Sequence, residues 1–177
     1  MSQLVMLDQA TFTISETGTF GPISWQIESG QKWFLAGRNG SGKSVLLGLI
    51  ERGGRALSGE SFGVPQDAVV VSAAAHLALI DRERAQHDGA DDKLEGTSVA
   101  DLLRELNPVD EVLTELISRF QLQPLLSQRF RQLSTGETKK ILFVRALASE
   151  RPMLILDEPL AGLDAVSRAL ALGCLAD

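Results

Sequence analysis

Hydrophobic and polar positions alternate in the first part of the chain. Residues 4–14 and 23–27 form short apolar and β-branched runs, and Gly18, Gly21 and Pro22 lie between them. Alternation with a period of two, bounded by turn residues, is typical of half-buried strands. The pattern therefore predicts two antiparallel strands.

Three shorter runs are apolar throughout and predict buried strands at residues 33–36, 69–71 and 153–156. The first run leads directly into a glycine-rich loop, after which a helix is predicted over residues 42–52. Strands separated by crossover segments predict a right-handed parallel sheet, with ligands at the carboxyl ends of its strands.

The middle of the chain changes to a helical period. Apolar residues recur at helical spacing over residues 99–106 and 112–120, with a break at residues 107–108. A further helix is predicted to begin near Ser134. Residues 81–93 are charged and lack a period, so much of this segment is predicted to be a mobile loop.

The fold class that follows is α/β, with an antiparallel β edge and an inserted helical subdomain. In this interpretation residues 1–97 and 150–177 form the α/β core, and residues 98–149 form the inserted subdomain. The length of 177 residues favours one such domain over two independent ones.

Composition narrows the range of functions that the chain can have. A net charge of −6 argues against a general nucleic-acid-binding surface, since affinity for phosphate backbones comes from clustered basic residues, and Lys139 and Lys140 are the only adjacent lysines. Cys174 is the single cysteine, which excludes an internal disulfide. The N-terminus does not resemble a secretion signal, and the longest apolar region, residues 68–80, is too short to span a bilayer. A soluble, cytoplasmic chain is predicted.

The strongest chemical signal is a phosphate-binding pattern. Gly37, Gly42, Lys43 and Ser44 complete the sequence GxxxxGKS between a predicted strand and a predicted helix. Glycines allow consecutive backbone N–H groups to point at phosphate oxygens, and the helix N-terminus adds its positive end. Lys43 would neutralise the β and γ phosphates of a nucleotide, and Ser44 would offer its hydroxyl to Mg²⁺. The alternative is a plain glycine-rich turn, against which the flanking elements argue.

Two adjacent carboxylates follow the strand at residues 153–156. Asp157 can hold the water shell of a metal ion, while Glu158 orients and deprotonates the attacking water. Taken alone, an apolar strand that ends in Asp-Glu is usually a strand that meets a solvated turn. The phosphate-binding pattern elsewhere in the chain favours the catalytic interpretation.

A third segment opens the helix near residue 134. Ser134 and Glu137 have the spacing of a capping box, which by itself indicates only a helix start. The same N-terminus, with Thr135 and Gly136 as small residues, is also suited to bind a γ-phosphate that another subunit presents.

Together these three segments resemble the Walker A, signature and Walker B motifs of the ABC ATPase family, and the resemblance covers nearly the whole chain. It implies a P-loop NTPase core, ATP and Mg²⁺ as ligands, ATP hydrolysis as the activity and a second ABC domain as the partner that closes the site. Gly162, Leu163 and Asp164 resemble the D-loop of the family, which crosses to that partner.

The resemblance also implies a set of site residues. Lys43 and Glu158 would be catalytic, and Ser44 and Asp157 would hold the metal. The residues expected to contact the nucleotide are Gly37, Arg38, Asn39, Gly40, Ser41, Gly42, Lys43, Ser44 and Val45, together with Ile14, Ser134, Gly136 and Glu137.

The sequence departs from the family pattern at the adenine contact and in the signature. The aromatic residue that usually stacks on adenine aligns with Ile14, while Phe12 is expected to pack inside. The commoner signature is Leu-Ser-Gly-Gly-Gln, from which Thr135 and Glu137 differ. Glu137 would bring a carboxylate near the phosphates unless its capping role turns it back.

The Q-loop glutamine of the family has no clear counterpart. Gln66 precedes the strand at residues 69–71, whereas the Q-loop should follow that strand, so Gln66 is interpreted as a turn residue. By strand position the site falls at residues 73–75. His76 is interpreted as an ordinary, partly buried histidine rather than a metal contact.

The switch histidine of the family lies one strand beyond the D-loop. His76 and His87 both precede that region, so neither can fill the role. The resemblance therefore implies that the chain is part of a longer protein that continues beyond Asp177.

Within the family, the Ser-Thr-Gly-Glu signature and the compact stretch over residues 58–72 resemble a branch of tandem ATP-binding proteins linked to molybdate transport. This implies a membrane transporter subunit as a further partner, with the chain in the cytoplasm or held by that subunit at the inner membrane. No direct contact with nucleic acid is expected. Two alternatives stay open: an ATP-dependent interaction module without turnover, and one half of an ABC-type translation or repair factor.

Overall fold

The computed structural model describes residues 3–14, 18–38, 40–52, 56–62, 68–86, 96–149 and 151–176. The strands are β1 (Gln3–Thr13), β2 (Thr19–Glu28), β3 (Ala56–Phe62), β4 (Val69–Val71) and β5 (Leu154–Leu156). The helices are α1 (Lys43–Arg52), α2 (Ala73–Gln86), α3 (Val99–Arg104), α4 (Asp110–Arg119), α5 (Thr135–Leu147) and α6 (Ala165–Ala176).

The chain divides into two compact units. The first contains Met1–Val69 with Arg151–Ile155, and the second contains Val70–Glu150 with Leu156–Asp177. The division predicted from the sequence, at residues 97/98 and 149/150, stays a prediction.

An antiparallel sheet in the order β2-β1-β3 forms much of the first unit. This confirms the predicted pair of antiparallel strands, while β3 did not stand out in the sequence. Val5 and Leu7 are buried at odd positions of β1, and Ala10 and Phe12 are buried at even positions. The change of parity occurs at a register shift between Leu7 and Ala10, where Gln9 has φ +47°. One extra residue there keeps both apolar pairs on the buried side.

Residues 33–36 do not form the buried strand that was predicted. They lie outside the strands, and the side chains of Trp33, Phe34 and Leu35 are 57%, 91% and 37% exposed. A fully apolar strand needs neighbouring strands that satisfy its N–H and C=O groups. Among the described residues, no strand pairs with this segment, so its apolar character alone does not place it in a sheet.

The predicted strands at residues 69–71 and 153–156 are confirmed as β4 and β5, which pair with each other. Val69 N–H donates to the carbonyl of Met153 at 2.9 Å, and Asp157 N–H donates to the carbonyl of Val71 at 2.8 Å. Because both partners of these bonds advance together along the chain, the strands run parallel.

The helical core of the second unit follows the predicted period. Val99, Leu102 and Leu103 of α3 and Leu113 and Leu116 of α4 are buried. α3 begins where the Ser98 hydroxyl accepts a hydrogen bond from Asp101 N–H at 3.1 Å, a regular N-cap. The buried residues of α5 complete this cluster; they include Ile141, Phe143 and Val144.

Residues 81–86 form the last part of α2, so the loop predicted for much of 81–93 does not include them; residues 87–93 lie outside the described part of the chain. The Glu83 side chain is fully buried and accepts hydrogen bonds from Thr97 N–H at 3.1 Å and from the Thr97 hydroxyl at 2.8 Å. Arg82 donates to both carboxylate oxygens of Glu105 at 2.9 and 3.0 Å. Tertiary polar contacts thus hold this charged segment in a helix.

None of the helices in the described part of the chain is both long enough and apolar enough to cross a membrane.

Candidate functional site

The glycine-rich loop ends at the predicted helix, which the structure confirms as α1. Leu46 and Ile50 are buried and fix α1 through its apolar side. Leu46 N–H donates to the carbonyl of Gly42 at 2.9 Å, which starts the helical bonding at the end of the loop. Within the loop, Ser41 N–H donates to the carbonyl of Arg38 at 3.1 Å and closes a tight turn.

The ammonium group of Lys43 lies over this turn. It donates to the carbonyl of Gly37 at 2.8 Å and to the carbonyl of Arg38 at 3.0 Å. A positive charge is therefore fixed on the loop that leads into α1, and the N-terminus of that helix carries the positive end of its dipole. A fixed cation and a helix N-terminus next to it in sequence are features of an anion site.

Gly42 has φ +89°, in the left-handed region that favours glycine. A Cβ atom at Gly42 would lie 2.5 Å from Cε2 of Phe20 on β2. Phe20 thus packs directly against the loop, a contact that sequence reasoning missed. Its only signal was an aromatic residue near a turn, because the contact depends on how the hairpin packs beside the loop.

The remaining loop residues are exposed or partly exposed. Ser44 is exposed at the start of α1, Val45 is 37% exposed, and Ile14 at the end of β1 is 47% exposed. Phe12 is 2% exposed, which confirms that it packs inside. Asn39 lies outside the described residues, and the nucleotide contacts of Ile14 and Val45 stay predictions.

The two carboxylates follow β5 as predicted. Asp157 is half-buried and held by its N–H bond to β4, while Glu158 is exposed. Glu158 has φ +51°, a left-handed conformation that residues with a Cβ rarely adopt. The carbonyl of Glu158 accepts a hydrogen bond from Ala161 N–H at 3.1 Å, which closes the turn that holds this conformation. Strained backbone of this kind is frequent at functional sites.

The capping box at the start of α5 is present. Glu137 N–H donates to the Ser134 hydroxyl oxygen at 3.3 Å, and Glu137 Oε2 accepts from Ser134 N–H at 2.8 Å and from the Ser134 hydroxyl at 2.6 Å. These bonds from Ser134 lower the pKa of Glu137. The carboxylate is therefore turned back onto its own helix, as the capping interpretation predicted.

Replacing Ser134 by alanine is expected to destabilise the chain by about 1 kcal/mol at neutral pH, since N-cap side chains contribute about that much. The folded pKa of Glu137 is depressed, so its stabilising contribution is present above the unfolded glutamate pKa of about 4.3 and is lost as the pH falls through the folded pKa. Urea denaturation at several pH values should show the difference from wild type shrinking in acid. A difference that is constant with pH would contradict the role of Glu137, and Ser118→Ala on the exposed face of α4 provides the control.

His76 is half-buried on α2, as predicted, and burial together with the nearby charge of Lys139 lowers its pKa. Residues 73–75, where the Q-loop was expected, are the first residues of α2, and Ala75 N–H donates to the Ser72 hydroxyl at 3.0 Å. Gln66 and His87 lie outside the described residues.

The structure brings the predicted residues together in two groups. Lys43 lies on Gly37 and Arg38 in the first unit, and Ser134 lies with Glu137 in the second. Asp157 and Glu158 also belong to the second unit. The roles of these residues towards one shared nucleotide stay predictions.

A family model described as "ABC transporter" matches residues 20–161, which include the glycine-rich loop, the capped start of α5 and both carboxylates. The chain belongs to the ABC transporter family. The ATP-binding domains of this family are ATPases, and a phosphate-binding loop is what such an activity requires.

Curated members of the ABC transporter family show the same relationship. The chain is 34% identical over 174 residues to the ABC transporter ATP-binding protein ModF of Escherichia coli K12, and the match covers 95% of the chain and 35% of ModF. It is 30% identical over 148 residues to the tungstate uptake system ATP-binding protein TupC of Peptoclostridium acidaminophilum, covering 80% of the chain and 65% of TupC. The chain thus spans about a third of the length of ModF and about two thirds of the length of TupC.

A solved ATP-binding subunit of an ABC transporter shares the fold. It superposes with a TM-score of 0.72 at 17% identity, over 97% of this chain and 73% of that subunit. The α/β fold of the ABC ATPases, predicted from the motifs, is thereby confirmed.

Proposed function

We propose that this chain binds ATP with Mg²⁺ and hydrolyses it to ADP and phosphate when a second ABC domain closes the site. The observation that carries the proposal is the position of the Lys43 ammonium, 2.8 Å from the Gly37 carbonyl in the loop that leads into α1. A cation fixed on a loop that ends at a helix N-terminus is suited to a triphosphate.

The residues at hand fit a magnesium nucleotide. Mg²⁺ is usually held by one or two protein oxygens together with substrate phosphates, rather than by a cage of protein ligands. The Ser44 hydroxyl and the Asp157 carboxylate are the oxygens that we assign to this role. When bound, Mg²⁺ would offset negative charge on the phosphates.

We assign the other chemical roles to side chains and backbone groups of the chain. Lys43 would hold the β and γ phosphates and stabilise the charge that develops during transfer. Glu158, exposed on its strained turn, would orient a water molecule and accept its proton. The capped N-terminus of α5, with Ser134 and Gly136, would meet the γ-phosphate held by the partner domain.

The experiment that tests this proposal is single-turnover hydrolysis of radiolabelled ATP by the chain, alone and with the second half of the full-length protein added in trans. Little turnover alone and clear turnover in the mixture would support it. Nucleotide protection of the chain against thermal melting provides the matched binding measurement, since a ligand that binds only the folded state raises its stability. No turnover by the chain alone or in the mixture would refute the hydrolytic function.

A second function is favoured by one observation. At the place predicted for the Q-loop, residues 73–75 are alanines that open α2, and they offer no side-chain oxygen to a metal. The chain could then bind ATP to hold its partner without hydrolysing it. Thermal protection by Mg²⁺-ATP together with nucleotide-dependent association, but without turnover, would favour this alternative.

The transport role is proposed more narrowly. One relative is named for tungstate uptake, and tungstate and molybdate are both tetrahedral dianions, so we place the chain in a tandem ATPase that serves uptake of such an anion through a membrane subunit. Cells that lack the full-length gene should accumulate less molybdate from a limiting supply. Normal accumulation would contradict this role while leaving ATP binding untouched.

A further inference from the structure

The only adjacent lysines in the chain, Lys139 and Lys140, lie on α5 just after the capped start of that helix. Lys139 Nζ donates to the carbonyl of Ala161 at 2.6 Å. Lys140 Nζ lies 3.3 Å from Oδ2 of Asp164. Both lysines therefore reach the turn at residues 161–164, which we call the D-loop turn.

The D-loop turn is also packed against the first turn of α5. A Cβ atom at Gly136 would lie 3.6 Å from the carbonyl oxygen of Gly162. Positions 136, 139 and 140 are spaced three and four residues apart, so they share one face of the helix. One face of α5 therefore approaches the backbone of the D-loop turn at Gly136 and directs two ammonium groups to the same turn.

The fit around Gly162 is close. Gly162 has φ +81°, and a Cβ atom there would lie 3.1 Å from Lys139 Nζ and 3.4 Å from Lys139 Cδ. The Lys139 side chain thus lies along the glycine backbone and ends on the preceding carbonyl. A bond to backbone fixes the path of the chain, which a flexible pair of exposed side chains would not do.

The other end of the turn is fixed by Asp164. Its carboxylate accepts from Ser167 N–H at 2.8 Å and from the Ser167 hydroxyl at 2.7 Å, which caps α6. The bonds from Ser167 and the charge of Lys140 hold the pKa of Asp164 far below its ordinary value. The carboxylate is therefore ionised when Lys140 approaches it, and the turn is held from both helices.

We infer that Lys139 and Lys140 are positioning residues that join the start of α5 and the D-loop turn into one rigid piece. The inference rests on the proposed function, because in that function both segments face the nucleotide of the partner domain. Movement of either segment would then be transmitted to the other within the same chain. Neither lysine needs to contact the nucleotide for this role.

The test compares Lys139→Met with Arg104→Met. The second variant removes the positive charge of Arg104, at the end of α3, from its exposed ion pair with Asp110 of α4. In the nucleotide-free chain, amide hydrogen exchange over residues 161–165 should be at least about fivefold faster in Lys139→Met, because exchange reports local opening. Arg104→Met should stay within about twofold of wild type at the same amides. Unchanged exchange in Lys139→Met would overturn the inference.

The second measurement is steady-state hydrolysis of Mg²⁺-ATP by the chain mixed with the second half of the full-length protein. Lys139→Met should lower kcat by about tenfold and leave KM within about twofold, since a group that acts on positioning lowers turnover without weakening binding. Unchanged kcat would overturn the positioning role, and a raised KM with normal kcat would assign Lys139 to nucleotide binding instead. A wild-type chain that shows no binding or turnover would refute the proposed function, while hydrogen exchange would still decide the rigid link.

A second variant covers the case in which Lys139→Met does not fold. Gly162→Ala places a methyl group 3.1 Å from the Lys139 ammonium and strains the backbone, which has φ +81° there, so it should accelerate exchange over the same amides. Combining it with Lys139→Arg should give less than the sum of the two single effects, because both variants disturb one contact. Additive effects would show that the two residues act independently and would overturn the inference.

Discussion

Replacing Lys43 by alanine is expected to weaken Mg²⁺-ATP binding by at least about a hundredfold. Hydrogen bonds to charged groups contribute about 1.5–3 kcal/mol each, and roughly 1.4 kcal/mol corresponds to tenfold in affinity. The Lys43 ammonium makes two such bonds to loop carbonyls and is placed to exchange them for phosphate oxygens. Thermal melting with and without Mg²⁺-ATP measures the loss, since the protection seen in wild type should disappear.

The matched control for this experiment is Lys32→Ala, which removes an exposed lysine from the segment before the loop. It should keep the nucleotide protection of wild type. The melting temperature of Lys43→Ala without nucleotide must also be compared with wild type, because its two carbonyl bonds hold the loop in the free chain. Retained protection in a folded Lys43→Ala chain would show that the triphosphate binds elsewhere.

Replacing Glu158 by glutamine is expected to lower ATP turnover by about a hundredfold or more, because a general base contributes about 10²–10⁴ to the rate. Glutamine keeps the shape of the side chain and cannot accept the proton of the attacking water. ATP should still bind, and because hydrolysis no longer separates the two domains, association with the second half should become stronger. Turnover assays and analytical ultracentrifugation with Mg²⁺-ATP measure the two effects.

Glu111→Gln, on the exposed side of α4, removes a carboxylate away from the site and should leave both measurements unchanged. Normal turnover in Glu158→Gln would assign the base to another group. Reduced turnover without any change in association would mean that hydrolysis does not control the contact between the domains.

Sequence reasoning succeeded where a local pattern decides the structure. The capping box of Ser134 and Glu137 needs only four consecutive residues, and the helix after Gly42 follows from loop and period together. β4 and β5 were likewise predicted as strands from their short apolar runs, although their pairing with each other was not predicted. In the capping box and at the start of α1, neighbours along the chain supply the deciding interactions.

It failed where contacts from elsewhere decide. α2 was missed because the residues on its inner side include Leu79 and the carboxylate of Glu83, so the apolar period is broken by a buried charge. The hydrogen bonds to that carboxylate come from Thr97, eleven residues beyond the end of the helix. The prediction for residues 33–36 failed in the opposite sense: a strand was predicted and none is present. An apolar run predicts a strand whether or not neighbouring strands are present.

The residues of the candidate site could be predicted from the sequence, but the residues that pack against them could not. Lys43 was identified from its motif, but Phe20 beside Gly42 could not be, because strand β2 brings it there from another part of the chain. Lys139 and Lys140 were visible as a pair, yet nothing in their spacing indicated that they face the D-loop turn.

The left-handed backbone at Glu158 has a consequence for attempts to make the chain more robust. Glycine adopts that conformation without a Cβ penalty, so a selection for heat resistance alone would favour glycine at this position. Such a variant would survive longer and hydrolyse less, since the side chain that strains the backbone is the one proposed to take the proton. Durability and turnover are thus opposed at a single residue.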